Sequence, residues 1–351
     1  MNLSAVNSIV NAVLYEGYVL YPYRPSSVKN RQRWTFGGLY PRAYSEAQGG
    51  LEPYSMQTQC LVLGDETTSV EVIVRFLHIL SRQVRELTSS PSTGQASRPV
   101  EALWVGDKLY QTWQEATERD AGGAELNLSD LLSNPRDIPF AFPAITEVEP
   151  LRLPTGEQVG DIVRDQRPVD GRVSVRAEHL GDRLFKLTVQ VENLTPWEAG
   201  HHAPGEDRAA REEALLLAFA STHTILGVAN GEFVSLIDPP AECREAASTC
   251  ANLGTWPVLV GKEGERDLML SSPIILYDYP QVAPESPGDL FDGTEIDEIL
   301  TLRIMTLTDD EKKEMRAVDP RARALLDRTE ALTADQMMDL HGTIRSMMSK
   351  E

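Results

Sequence analysis

The residues best equipped for chemistry or recognition cluster between Tyr15 and Tyr44. This stretch holds six of the chain's ten tyrosines, together with Trp34 and Phe36. Arg24, Lys29, Arg31, Arg33 and Arg42 are accompanied there by a single acid, Glu16. Guanidinium planes beside aromatic rings bind carboxylates, phosphates and planar groups through forked hydrogen bonds and stacking. Tyr21, Tyr23, Arg24, Arg31, Arg33, Trp34 and Tyr40 are therefore candidate contacts for a partner protein. The alternative is that the tyrosines pack into a core and the arginines pair with the protein's own carboxylates. A small anionic ligand, such as a nucleotide, is a further candidate for the same cluster.

A second set consists of His201, His202 and His223, with Asp207 or the cysteines nearby. Imidazole, carboxylate and thiolate donors suit nickel, iron or zinc, and a Lewis-acid metal would activate water or pass to a client. Against this, adjacent histidines lack the i, i+4 spacing that puts two imidazoles on one helix face. Cys243 and Cys250 are also too far apart for a zinc knuckle. No cofactor is therefore expected, and a transition metal on the three histidines is the alternative. His78 falls on the apolar face of an alternating run and reads as a satisfied core residue.

Pro284 to Glu298 carries Glu285, Asp289, Asp292, Glu295, Asp297 and Glu298 with no basic residue. The spacing does not match an EF-hand loop. It reads as a turn feeding a helix, with Thr294 as N-cap and acids at the positive dipole end. Asp289 and Asp292 place an acidic face where it could dock the basic aromatic segment, within the chain or across an interface. The dinucleotide-binding glycine fingerprint, the P-loop, the GxSxG elbow and HExxH are all missing.

The elements that must position these residues are those of an ordinary globular chain. It has 351 residues, 41 % hydrophobic and 25 % charged, with 33 Lys+Arg against 53 Asp+Glu and a formal charge of −20. That charge repels phosphate backbones and anionic membranes, so nucleic acid is not an expected partner. No apolar run is long enough to span a bilayer, and the N-terminus lacks a secretory pattern. Three cysteines fit a reducing compartment, and a cytoplasmic protein is expected.

Apolar spacing predicts a helix over Ser4 to Leu14. Cys60–Leu63 and Ser69–Leu80 read as a hairpin, as do Val173–His179 and Phe185–Val191 around Gly181-Asp182. Ser89–Pro99 reads as a loop, Pro99–Val105 as a strand and Lys108–Arg119 as a short helix. A buried helix is expected over Ala209–Thr222, with short strands at Glu232–Ile237, Trp256–Val260 and Pro273–Tyr277. Thr308 with Glu311, and Thr333 with Gln336, fit capping boxes of a helical tail. The expected class is α+β, with antiparallel sheets and packed helices in two lobes. An N-terminal domain over 1–135 carries the basic aromatic segment 15–44. A Pro-rich connector over 136–165 leads to a second domain over 166–307 and a helical tail over 308–351.

The stretches Tyr15–Tyr44 and Phe219–Arg328 carry a resemblance, above all in STHTILGVANGEFVSLIDPP and GTWPVLVGKEGERDLMLSSPIILYDYPQ. They resemble an uncharacterised family of bacterial accessory proteins associated with gene neighbourhoods of high-affinity uptake nickel-iron hydrogenases. The resemblance implies a role in assembling, maturing or partnering such an enzyme, with hydrogenase subunits or maturation factors as partners. It brings no catalytic residue, and the paired CxxC motifs that hold metal in hydrogenase large subunits are absent here. The expected function is thus non-catalytic: an accessory or scaffold protein using the basic aromatic segment and the Ser271–Glu298 surface.

Overall fold

The computed structural model describes residues 3–15, 36–90, 94–198, 207–281, 304–318 and 320–331. In chain order the elements begin with α1 (Leu3–Leu14), α2 (Arg42–Ala47), β1 (Ser55–Leu63), β2 (Ser69–Ser90), β3 (Gly94–Val100), β4 (Ala102–Val105), β5 (Lys108–Gln111) and β6 (Trp113–Asn127). Next come α3 (Leu128–Ser133), β7 (Arg136–Phe142), β8 (Ile145–Arg152), β9 (Gln158–Gln166), β10 (Val169–Gly181), β11 (Leu184–Asn193), α4 (Asp207–Leu215) and β12 (Phe219–Ala229). The remainder are β13 (Glu232–Val234), α5 (Arg244–Ser248), β14 (Trp256–Leu259), β15 (Leu268–Ser272), α6 (Asp309–Val318) and α7 (Pro320–Ala331). The class is α+β with antiparallel sheets. No helix among the described residues is long and apolar enough to cross a membrane.

The smaller sheet runs β13-β1-β11-β10-β7. The larger runs β14-β15-β12-β2-β9-β8, with β3 and β6 on the other side of β2. Between the sheets lies the main core: Cys60 and Val62 from β1, Val70, Val72, Val74 and Phe76 from β2, Val173 and Val175 from β10, Val189 and Val191 from β11, and Phe219 from β12. Aromatic packing is concentrated there, with the Phe76 and Phe219 ring centroids 4.6 Å apart.

The opposite face of the larger sheet is covered by helices. Val6, Ile9, Val10 and Val13 of α1 pack on Ile73, Ile225 and Leu270. Ala214 and Leu215 of α4 join Tyr40 and Tyr44 over Leu77 and Ile79. Period-2 alternation sends even residues of β2 to one core and odd residues to the other, so the strand is apolar on both faces.

Several predicted elements are realised. Helix α1, the β10–β11 hairpin and the capping box at α6 form as expected; the Thr308 hydroxyl donates to Glu311 Oε2 at 3.0 Å and accepts from the Glu311 N–H at 3.3 Å. Others are corrected. β1 and β2 are not a hairpin; they enter different sheets, because alternation fixes which face is apolar and not which neighbour pairs. Lys108–Arg119 is β5 and the start of β6, not a helix; of the loop expected over Ser89–Pro99, Ser89 and Ser90 end β2, Gly94–Pro99 belong to β3, and 91–93 lie outside the described residues. The helix expected to Thr222 ends at Leu215, and β12 begins at Phe219. No strand forms at Pro273–Tyr277. The stretch 136–165 is no surface connector: it supplies β7, β8 and most of β9. Pro139 lies in β7 and Pro150 in β8, each the outermost strand of its sheet, where a missing N–H costs no ladder bond. Strand pairing also ignores a division at this stretch, since β1 pairs with β11 and β2 with β12.

Candidate functional sites

Of the basic aromatic segment, Tyr21, Tyr23, Arg24, Arg31, Arg33 and Trp34 lie outside the described residues. The part that is described follows the packing alternative. Tyr40 is 2 % exposed and sits in the core under α4, so it is no surface contact for a partner. Its ring lies 5.6 Å from that of Tyr44, and burial pushes its phenol well above the ordinary value. Tyr44 meets Trp197 edge-on at 5.3 Å. Arg42 pairs with Glu46 at 2.8 Å and lies over the Tyr54 ring.

Of the alternative metal set, His201 and His202 lie outside the described residues, and His223 is a fully buried residue on β12. Its placement follows from a β-bulge between Ala220 and His223, where Ser221 adopts a positive φ of 51°. The bulge is fixed from outside the ladder: the Ser221 and Thr222 N–H groups donate to the carbonyls of Phe36 and Gly37 at 3.0 Å each. Gly37 is required there, because a Cβ would lie 2.4 Å from Pro273 Cβ. His223 Nδ1 donates to the Ser221 carbonyl at 2.7 Å, which leaves Nε2 to accept from the Ser272 hydroxyl at 3.2 Å. Ser272 in turn accepts from the Ile274 N–H at 3.0 Å.

Serine and imidazole at this spacing are the parts of a nucleophile–base pair. Here both are fully buried, so their chemistry is structural: the network ties β12 to the end of β15. Burial, with Arg75 directly across the ladder, lowers the His223 pKa to about 4 and keeps the ring neutral. To bind a metal it would have to give up one of its two hydrogen bonds. Asp207 starts α4. Among the described residues no group of three or more His, Cys, Asp or Glu could hold a metal ion. Cys243 and Cys250 are free thiols packed around Leu61 and Val234, and burial raises both above the ordinary thiol value.

Asp289 and Asp292 lie outside the described residues, but the beginning of the Ser271–Glu298 surface does not. After β15 the chain returns to β14, where the Tyr279 N–H donates to the Leu259 carbonyl at 2.7 Å and Asp278 Oδ1 accepts from the Leu259 N–H at 2.8 Å. Along this return Ile274 and Leu276 turn into the core under α1, whereas Ile275 is 69 % and Tyr277 80 % exposed. Trp256, on the edge strand β14, is 44 % exposed. The sequence reading singles out none of these three; it gives Trp256–Val260 and Pro273–Tyr277 only as short strands. The available signal was alternation over Ile274–Tyr277, which leaves every second apolar residue without a partner. Compared with known proteins, the chain matches no family model and no curated protein.

Proposed function

We propose that this chain is a non-catalytic accessory protein that docks on a partner protein, the client being a nickel-iron hydrogenase subunit or maturation factor as the family resemblance implies. One observation supports docking: Trp256, Ile275 and Tyr277 stand exposed on and beside an edge strand, within or next to the surface expected to bind. Rigid aromatic side chains lose little entropy on binding and dominate interface energetics.

The test is affinity purification of the full chain from its own host, with mass spectrometry of what co-elutes. A hydrogenase subunit or maturation factor should be recovered, and Trp256→Ala with Tyr277→Ala should abolish its capture. A chain that elutes alone under gentle conditions would overturn docking. Recovery of an unrelated client would retain docking and overturn the hydrogenase assignment.

A further inference from the structure

A cleft of about 250 Å³ opens between the β4–β5 hairpin and the helices α6 and α7. Among the described residues, Lys108, Lys313, Arg316 and Arg323 line it with one acid, Asp107. In a chain of charge −20 a group of four cations around one opening stands out, although Asp310, Asp327 and Glu330 offset part of it. Two of them are only partly engaged. Arg316 pairs with Asp327 and Glu330, and Lys313 with Asp310. Lys108 has no carboxylate partner among the described residues; its Nζ lies 4.6 Å from the centre of the Tyr110 ring. Arg323 spends Nε and Nη2 on the Arg316 carbonyl at 3.2 Å and likewise meets no carboxylate there.

The C-terminus of α6 faces the same cleft, and its partial negative charge would oppose an anion. It is covered. Arg323 takes the Arg316 carbonyl, and the buried Arg82 donates to the Ala317 carbonyl at 3.2 Å from behind. Arg82 is held by Glu115 at 3.3 Å, which is held by Arg164 at 2.7 Å. The hairpin wall is equally fixed, with Leu103, Val105 and Tyr110 packed on Val84, Leu151 and Ile162. From this wall Trp104 presents a ring that is 54 % exposed.

We propose that this cleft binds a small anion bearing a planar aromatic ring, for which a nucleoside monophosphate is the model ligand. Trp104 supplies the stacking face, and Lys108 and Arg323 supply charge-assisted donors to the phosphate. The cleft's size and the chain's overall charge favour a mononucleotide over an oligonucleotide.

The test is titration of the full chain with AMP at low ionic strength, read by calorimetry and tryptophan fluorescence. Binding with a Kd of about 1 mM or tighter is expected, about tenfold tighter than that of adenosine or ribose 5-phosphate. Trp104→Ala and Lys108→Glu should each weaken it by about tenfold while leaving the melting temperature in place. Three results would overturn the proposal: no AMP binding at millimolar concentration, AMP binding that both variants leave unchanged, or adenosine or ribose 5-phosphate binding as tightly as AMP. A polyglutamate peptide that binds where AMP does not would also overturn it, and would identify a surface for acidic proteins.

Discussion

Two fully buried histidines lie on opposite faces of the larger sheet, and their surroundings differ in kind. His78 follows Phe76 on the face between the sheets, directly across the ladder from Phe219. Neither of its ring nitrogens makes a hydrogen bond of normal geometry, although the backbone of Arg167 lies close enough to favour the charged ring, and nearby Arg119 Nε and Gln166 Nε2 also lack a partner. His223, on the helix-covered face, has both nitrogens engaged. Burial lowers both rings to a pKa of about 4, assisted by Arg119 for His78 and by Arg75 for His223. Equal burial and equal pKa thus conceal different surroundings: His223 ties its region together with two hydrogen bonds, and His78 sits beside polar groups without a hydrogen bond of normal geometry.

The packing on the His78 face, between the sheets, should carry the largest effect. Phe76→Ala removes the ring that backs Phe219 and the start of β12, and should cost about 3–5 kcal/mol in chemical denaturation. A loss under about 1 kcal/mol would show that neighbouring side chains refill the space of the Phe76 ring. His223→Leu comes next. It orphans the Ser221 carbonyl and one bond of Ser272, and should cost about 1–3 kcal/mol with broadened resonances in the 36–39 segment.

Acid should probe both rings together. Their folded-state values lie below the ordinary 6.5, so the unfolded chain binds more protons between roughly pH 6.5 and 4. Stability is complete above this window on their account and is lost as pH falls through it. Melting curves against pH should therefore be shallower for His78→Leu or His223→Gln than for the parent chain; identical slopes would show that neither ring stays neutral. At neutral pH the smallest effect belongs to His78→Leu, neutral or stabilising by up to about 1 kcal/mol, because the ring gives up only its contact with the Arg167 backbone and no hydrogen bond of normal geometry. A large loss there would place an ordered polar partner beside His78.

The sequence made the periodic features legible and left the partnerships dark. Gly181-Asp182 between two alternating runs specifies the β10–β11 hairpin locally, and Thr308 with Glu311 specifies a helix start. Even residues of β2 announced a core, but Ile73, Leu77 and Ile79 on the other face, which require the helix layer, were outweighed by Glu71 and Arg75. Pro139 and Pro150 signalled an interruption; they mark sheet edges, because proline restricts a strand's neighbours as much as its continuation. His78 was rightly placed in a core but expected to be satisfied. The cleft at Trp104 joins segments distant in sequence, so no local pattern could have assembled it.

The length of β2 sets the order in which the molecule can be made. Ser69 pairs with both Asn127 of β6 and Ala229 of β12, and the strand's far end waits for β9. During synthesis at about 5–20 residues per second, the longest of the described strands therefore emerges many seconds before β12 exists to cover it. Its early neighbour β6 shields one edge only. Folding is thus coupled to completion of the chain past residue 229, and the nascent protein must travel through that interval with an open, aggregation-prone edge.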